Sequence, residues 1–222
     1  MSEKEIHRLC EKYEITNYTI NDDMSVDVND DVDLIFNDLI KLPVNFNRVN
    51  GNFRCSDNKL TNLKNCPNYV GASFNCDNNN LITLENSPDY VGHNFSCSNN
   101  KLKSLKGCPK HINNSFLCLN NKLSSMKDGP LIIEESLHLD NNNIKTVDYF
   151  PKVKSKNVYL DYNPVEELLS FVYEDYLMEY FSELDIIINN GETVILDRLN
   201  YFLTDLGETE FLKDNIKNYK VV

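Results

Sequence analysis

Cysteines recur at a fixed interval in this sequence and are its most conspicuous candidates for chemistry. Four of the seven cysteines, Cys55, Cys76, Cys97 and Cys118, lie 21 residues apart. On stacked strands about 4.8 Å apart, thiolates could bind a soft metal such as zinc. The sequence contains no Cys-x-x-Cys pair. We therefore interpret the cysteines as small core residues in a reducing compartment, and we expect no metal and no cofactor.

Two further chemical interpretations are weak. Cys118 with His138 and Asp140 could form a nucleophile and its base, but strand alternation points Cys118 inward and the other two outward. The acidic clusters Asp22-Asp23 and Asn29-Asp30-Asp31 lack the ligand spacing of a calcium loop, so we interpret them as solvated turns. The chain also lacks a glycine-rich phosphate loop. We predict no catalytic residue, and an enzyme is the least favoured class.

Seven asparagines share the 21-residue interval. A fixed period near 20 indicates a stacked repeat array, in which each turn contacts only its neighbours. The asparagine amide both donates and accepts hydrogen bonds, so it can pair the backbone groups of successive turns. We predict that these residues form a structural ladder. Its members are Asn37, Asn58, Asn79, Asn100, Asn121, Asn142 and Asn163.

The residues around each asparagine repeat in the same phase. Phe53 and Cys55 alternate with polar residues, which predicts a half-buried strand, and Leu60 and Leu63 then return to the core. This unit, which also carries a proline and an aliphatic position, resembles the leucine-rich repeat of the short bacterial type over about residues 32–165. The resemblance implies an α/β solenoid with a curved parallel sheet of about seven rungs and a concave outer face.

The layout of the whole chain resembles a group of repeat proteins encoded by tailed phages, other large viruses and some bacteria. The resemblance rests on Gly51-Asn-Phe-Arg-Cys-Ser-Asp-Asn-Lys-Leu, on the related stretch Phe95 to Leu102, and on Asn163-Pro-Val-Glu-Glu. It implies the repeat fold for most of the chain. For function it implies only a viral or phage factor that acts on a host protein, because repeat folds bind many different partners.

The N-terminal region, residues 1–31, reads as a cap made of a helix and a hairpin. Ser2 and Glu5 form a capping-box pattern at the start of an amphipathic helix over residues 2–15. Ser25–Val28 alternates like a strand, and Asn29-Asp30 supplies a turn before the array. We therefore expect a hairpin with its turn at Asn29-Asp30, placed against the first rung.

The C-terminal region, residues 166–222, changes to a helical period and reads as a helical cap. We predict helices over residues 165–182 and 192–206, with a short third helix near residues 208–217. This region is larger than capping requires. A second binding surface on it therefore stays open as an alternative.

Charge and hydropathy restrict the partners. The net charge is −12, and it is concentrated in residues 158–222, where 14 acidic residues face 4 basic ones. Such a balance disfavours nucleic-acid binding. The sequence shows no apolar stretch of membrane-spanning length and no secretory leader at its start. We therefore expect a cytoplasmic monomer, in the host cytoplasm if the protein is viral, with no membrane partner.

The outward strand positions define the candidate binding site. Leu117 and Leu119 place two apolar side chains on one rung, next to His138 and Tyr159 on the following rungs. An apolar patch with aromatic and acidic neighbours is typical of an interaction hot spot. A covering loop or cap over the two leucines is the alternative. The predicted partner-binding residues are Arg54, Asn75, Leu117, Leu119, His138, Asp140, Tyr159, Asp161 and Tyr162.

The sequence thus predicts a protein-binding module whose concave face binds or inhibits a host protein. A structural component that packs into a larger particle is the main alternative.

Overall fold

The chain forms a parallel β-solenoid, described here from a computed structural model for residues 1–155, 157–169, 183–207 and 216–222. Successive turns stack in register every 21 residues, so that Phe53 pairs with Phe74 and Phe74 with Phe95. The solenoid prediction is therefore confirmed.

The first helix begins as the sequence predicted. Helix α1 spans Glu3–Lys12, and the Oγ atom of Ser2 accepts the N–H of Glu5 at 3.3 Å. Ile6 and Cys10 on its inner face are buried against the array. The apolar side of this amphipathic helix therefore belongs to the same buried core as the array.

The predicted hairpin was assigned to the wrong pair of strands. Strands β1 (Tyr18–Ile20) and β2 (Val26–Val28) pair antiparallel, so the turn lies between them and not at Asn29-Asp30. Asp23 holds that turn, because its carboxylate accepts the N–H and the hydroxyl of Ser25 at 3.0 and 2.6 Å. Such a side-chain-to-backbone bond two residues along stabilises a turn that a search for alternating residues overlooks.

Each turn of the array contributes two short strands. In chain order they are β3 (Val32–Asp33), β4 (Phe46–Val49), β5 (Phe53–Arg54), β6 (Tyr69–Val70), β7 (Phe74–Asn75), β8 (Tyr90–Val91), β9 (Phe95–Ser96), β10 (His111–Ile112), β11 (Phe116–Leu117), β12 (Ile132–Ile133), β13 (Ser136–His138), β14 (Lys152–Val153) and β15 (Asn157–Tyr159). The odd-numbered strands from β3 to β15 form one seven-stranded parallel sheet.

The even-numbered strands from β2 to β14, together with β1, form a second face that the sequence did not predict. The order β1-β2-β4-β6-β8 makes a five-stranded sheet, and β10-β12-β14 makes a three-stranded sheet. The repeated aliphatic position of the unit is the buried residue of these strands. Between the two faces, the described part of residues 32–165 contains no α-helix, so the predicted α/β character is limited to the ends of the chain.

The second face is interrupted between β8 and β10. The corner residue that follows the strand is a glycine after β8 and an asparagine after β10. At this corner a Cβ on Gly92 would overlap the carbonyl oxygen of Gly71, so the corners stack too closely for a side chain. The next turn has Asn113 at the same position, and its Nδ2 donates to the carbonyl oxygen of Val91 at 2.8 Å. A side chain thus replaces the backbone ladder where the glycine is lost.

A column of phenylalanines forms the centre of the core. The ring centroids of Phe53 and Phe74 lie 6.0 Å apart, and Phe74 and Phe95 lie 5.0 Å apart. Phe46 and Phe116 extend the column at its two ends. Contacts at 4.5–7 Å between rings add to the stability gained from burying them.

The corner before each ladder asparagine uses a left-handed backbone conformation. The residues there have φ between 53° and 61°, a region that asparagine and aspartate adopt at the lowest cost after glycine. The two end positions are exceptions, since they carry exposed aromatic side chains, Phe36 and Tyr162. The full column is Phe36, Asp57, Asn78, Asn99, Asn120, Asn141 and Tyr162.

The C-terminal region combines helices with a small sheet. Helix α2 spans Glu166–Leu169, strands β16 (Ile187–Ile188) and β17 (Thr193–Val194) follow, and α3 spans Leu196–Asp205. Strand β18 (Lys220–Val221) pairs parallel with β17. The sequence predicted only helices here and missed this three-stranded sheet.

Parts of the predicted C-terminal helices lie outside the described residues. This applies to residues 170–182 of the first helix and to residues 208–215 of the third. The predicted helix over 192–206 corresponds to α3, which starts later because β17 precedes it. The hydroxyl of Tyr219 donates to the carbonyl oxygen of Lys145 at 3.1 Å and so joins this region to the array. Within the described residues no helix is long and apolar enough to cross a membrane.

Candidate functional site

The ladder asparagines bind backbone groups of two successive turns. Asn100 donates Nδ2 to the carbonyl oxygen of Cys76 at 3.0 Å, and its Oδ1 accepts the N–H of Leu81 at 3.0 Å. The side chain is buried, so each of these bonds satisfies a group that water does not reach. The same pair of bonds, to residues 24 and 19 positions earlier, recurs at Asn58, Asn79, Asn121, Asn142 and Asn163.

Asn37 differs from the other six asparagines. It is exposed, and its Nδ2 donates to Ile35 within its own turn at 3.0 Å. The reason is its position, because residues 13 to 18, which would form the preceding turn, connect the end of α1 to the start of β1. Asn37 therefore continues the sequence period without joining two turns.

The cysteine column is part of the core. All seven cysteines are free and buried. Burial raises the pKa of the Cys66, Cys76 and Cys97 thiols well above their ordinary value, so they stay neutral. Among the described residues no group of three or more His, Cys, Asp or Glu side chains is placed to hold a metal ion.

The outer face of the seven-stranded sheet, here called the sheet face, carries most of the predicted binding residues. At its N-terminal end Arg54 is paired, with Nη1 at 3.0 Å from Asp31 and 3.8 Å from Asp33. Asn75 accepts the N–H of Asp77 at 2.9 Å. Arg54 lies three strands from Leu117, roughly 14 Å at the usual strand spacing, so it belongs to a separate part of the face.

Asp77 is the central acidic group of the sheet face, and we did not single it out from the sequence. Its carboxylate reaches across to the next strand, where it accepts the hydroxyl of Ser96 at 2.7 Å and the N–H of Ser98 at 2.6 Å. Burial nevertheless raises the pKa of Asp77, because desolvation outweighs these hydrogen bonds. In the sequence, Asp77 has a serine 21 residues before it and another 21 residues after it in the same outward-facing column. This pattern could have identified Asp77 as a site residue.

Leu117 and Leu119 occupy the strand beyond these serines. Leu117 lies in register between Ser96 and His138. Both leucines are half-buried, so the structure exposes less of them than the sequence pattern suggested. Part of each apolar side chain still reaches the solvent on the sheet face.

His138 and Tyr159 form a stacked pair at the C-terminal end of the sheet face. Their ring centroids are 4.3 Å apart with an interplanar angle of 12°. The Nε2 atom of His138 lies 3.0 Å from the Ser136 hydroxyl. Burial lowers the pKa of His138 against the opposing effect of Asp140, so the imidazole is neutral at pH 7. The pair therefore presents a flat, uncharged aromatic surface beside Leu117.

The two remaining acidic positions and Tyr162 border this surface. Asp140 accepts the N–H of Asp161 at 3.1 Å. Tyr162 lies in the left-handed corner column rather than on the sheet face, with 80% of its surface exposed and its N–H bonded to Glu166 at 2.6 Å. The structure thus brings together Leu117, Leu119, His138, Tyr159 and Asp140, with Asp161 at the margin, and it sets Tyr162 apart.

Comparisons with protein-family models, with curated proteins and with solved structures found no match to this chain. The sheet face presents an apolar strip, an aromatic stack and four carboxylates, Asp33, Asp77, Asp140 and Asp161, against one guanidinium that is already paired. Such a surface is suited to binding another macromolecule through apolar contact and negative charge.

Proposed function

We propose that this chain is a protein-binding module that captures its partner on the sheet face. The observation that carries the proposal is the half-buried pair Leu117 and Leu119, flanked by the stacked rings of His138 and Tyr159. Apolar and aromatic side chains that remain partly open on a rigid sheet are the usual composition of an interaction hot spot. Because the backbone ladder fixes the strands, such a surface is preorganised and loses little entropy on binding.

In this proposal the array is of the leucine-rich-repeat type, with about seven rungs and a concave sheet face. The terminal regions, residues 1–31 and 166–222, act as caps that cover the ends of its core. The protein is a viral or phage factor, and its partner is a host protein met in the host cytoplasm. The ladder of buried asparagines and the resemblance of the repeat unit support the first part, and the resemblance alone supports the second.

A capture experiment with a matched pair of variants tests the proposal. Tagged protein is incubated with lysate of the native host, and bound proteins are identified by mass spectrometry. The double variant Leu117→Ser/Leu119→Ser is compared with Ile40→Ser/Leu131→Ser, which removes two exposed apolar side chains outside the sheet face. We expect a specific partner that the first variant loses and the control retains.

Two other outcomes contradict the proposal. Loss of the partner only in the control variant places binding outside the sheet face. Self-association of the purified protein on a sizing column, with no captured partner, instead indicates an assembly component. Melting temperatures of both variants are measured in parallel, because a large loss of stability in Leu117→Ser/Leu119→Ser means that the leucines serve the core.

A further inference from the structure

The carboxylates of the sheet face and their spacing point to the chemistry of the partner. We infer that the face recognises an extended segment in which two basic side chains flank an apolar one, with the order basic-x-apolar-x-basic. This inference rests on the proposed function and specifies its ligand. Asp77 and Asp140 are the two anchors, and Leu119 lies between them.

Asp77 has hydrogen-bond donors but no cation. One hydroxyl, that of Ser96, is shared between both carboxylate oxygens at 2.7 and 2.8 Å, and the N–H of Ser98 reaches only Oδ1. In the part of the chain that the structure describes, no Lys or Arg lies within 4.0 Å of this carboxylate. Oδ2 therefore keeps acceptor capacity for a positively charged group, and a charge-assisted bond there would be a strong one.

Asp140 is in a similar position on the other side of the leucines. It accepts the N–H of Asp161, and burial lowers the pKa of the neighbouring His138 against the opposing effect of Asp140. Within the described residues no lysine or arginine forms an ion pair with Asp140. The two carboxylates thus add negative charge that the chain itself does not compensate.

The surface between the two anchors fits an apolar side chain. Reading across the strands, Asp77 is followed by Ser98, then Leu119, then Asp140. Ser98 is small and 97% buried, and its Oγ has no hydrogen-bond partner in the structure. Beside Leu117 and Leu119 this small side chain forms a low floor, over which an apolar side chain of a ligand can contact the leucines.

The distance between Asp77 and Asp140 determines which residues of an extended ligand can reach both carboxylates. Asp77 and Asp140 lie three strands apart, which is about 14 Å at the usual spacing of 4.7–4.9 Å between strands. In an extended chain, residues i and i+4 are about 13 Å apart and point to the same side, as does residue i+2. A segment that crosses the strands can therefore place its first and fifth side chains on the two carboxylates and its third near Leu119.

Synthetic peptides test this pattern directly. The probe is a capped peptide with the sequence Gly-Gly-Arg-Ala-Leu-Ala-Arg-Gly-Gly, and binding is measured by fluorescence anisotropy at low ionic strength. The spacing control, Gly-Gly-Ala-Arg-Leu-Arg-Ala-Gly-Gly, has the same composition and charge but moves the arginines to positions i and i+2. We expect the probe to bind at least about tenfold more tightly than the spacing control, because only the probe reaches both carboxylates.

Protein variants assign that binding to the two anchors. Asp77→Asn/Asp140→Asn is expected to weaken binding of the probe by at least about tenfold. Asp22→Asn/Asp89→Asn removes the same charge from two exposed positions outside the sheet face and should leave the affinity unchanged. If the double variant does not fold, Asp140→Asn alone is compared with Asp89→Asn and should still lower the affinity measurably.

The inference is overturned if neither peptide binds, if both bind equally, or if the control variant loses as much affinity as the anchor variant. None of these results alone refutes the proposed function, which the capture experiment tests. Capture of a partner that depends on Leu117 and Leu119, together with peptides that fail to bind, refutes only the basic ligand. Capture that is insensitive to the leucines, or absent, refutes the proposed function itself.

Discussion

The side chain of Asn100 lies 3.0 Å from the carbonyl oxygen of Cys76, and the same oxygen accepts a second amide from Asn79 at 3.2 Å. Each buried carbonyl at this corner is therefore shared by the asparagines of two successive turns. This overlap links neighbouring turns through one atom. The register of the seven-stranded sheet follows from it, because a turn displaced by one residue would leave buried amides without partners.

Replacement of a central ladder asparagine should destabilise the array more than its small size suggests. In Asn100→Ala the N–H of Leu81 loses its acceptor, while the Cys76 carbonyl keeps its bond from Asn79. The Leu81 N–H is then buried without a partner, and the hydrogen bonds of the Asn100 amide are lost. We therefore expect the free energy of unfolding to decrease by about 2–3 kcal/mol. Asn37→Ala is the control, since its exposed side chain binds only its own turn, and should cost less than about 0.5 kcal/mol. Urea unfolding followed by circular dichroism measures both, and equal losses would contradict the two-turn role.

Tyr162 and Asn141 occupy equivalent left-handed positions and allow a reciprocal exchange. A residue other than glycine, asparagine or aspartate costs about 1–2 kcal/mol in this region. Tyr162→Asn should therefore raise the free energy of unfolding by about 1 kcal/mol, and Asn141→Tyr should lower it by a similar amount. Thermal unfolding of both variants provides the test. A loss of stability in Tyr162→Asn would show that the exposed ring makes contacts that outweigh the backbone strain.

The stacked glycine corner should be intolerant of the smallest side chain. A Cβ on Gly92 would overlap the carbonyl oxygen of Gly71, which belongs to the fixed backbone of the previous turn. We expect Gly92→Ala to destabilise the protein by about 2–3 kcal/mol, in the range of overpacked cores. Gly207→Ala is the control: its φ is +75°, but among the described residues no atom beyond its chain neighbours lies within 4 Å of the added Cβ, so we expect only backbone strain of about 1 kcal/mol. Denaturant midpoints that fall equally in both variants would rule out the steric explanation.

The buried thiols predict both a chemical and a pH-dependent behaviour. All seven cysteines should resist a maleimide reagent at neutral pH and react fully once guanidinium unfolds the chain. Burial raises the pKa of Cys66, Cys76, Cys97 and Cys108, so the unfolded chain ionises first as the pH rises. Stability is then fully present below about pH 8.5 and decreases above it, because the unfolded state binds fewer protons. Melting temperatures that stay constant up to pH 10 or above would contradict this.

The periodicity was enough to predict what each inward position does, since an interval of 21 residues fixes which side chains share a column. Phe53, Cys55 and Leu60 are buried as their pattern requires. The second face was missed because only one residue of a strand such as β6, Tyr69–Val70, is buried, whereas Phe53 and Cys55 at β5 give two buried positions in alternation. The turn at Asp23 was missed for a related reason, because side-chain bonds and not hydrophobic pattern determine it.

The candidate site was predictable only in part. The 21-residue period places Leu117, His138 and Tyr159 on one face, but it does not determine the conformation of each side chain. Asp77 reaches across to Ser96 and Ser98, a contact between residues 19 and 21 positions apart that depends on the orientation of its carboxylate. Tyr162 was assigned to the site from its neighbours in sequence, whereas its positive φ turns it into the corner column. Geometry of this kind follows from packing and is not encoded in residue type alone.

Asp77→Asn should stabilise the protein while it weakens binding of the basic probe peptide. Burial raises the pKa of Asp77, so its ionised form opposes folding at neutral pH, and this opposition is relieved as the pH falls through the folded-state pKa. Asparagine retains an acceptor for the N–H of Ser98 without the charge. We expect a higher melting temperature at pH 7 and a smaller difference from the unchanged protein at acidic pH.

The two measurements together distinguish a functional carboxylate from a structural one. A group retained for the hydrogen bonds of Ser96 and Ser98 would cause a loss of stability when its charge is removed, at every pH. A group retained for a cationic ligand should cause a gain of stability and a loss of affinity, as is common where binding requires an uncompensated charge. Thermal unfolding at two pH values and peptide titration of the same variant decide between these roles.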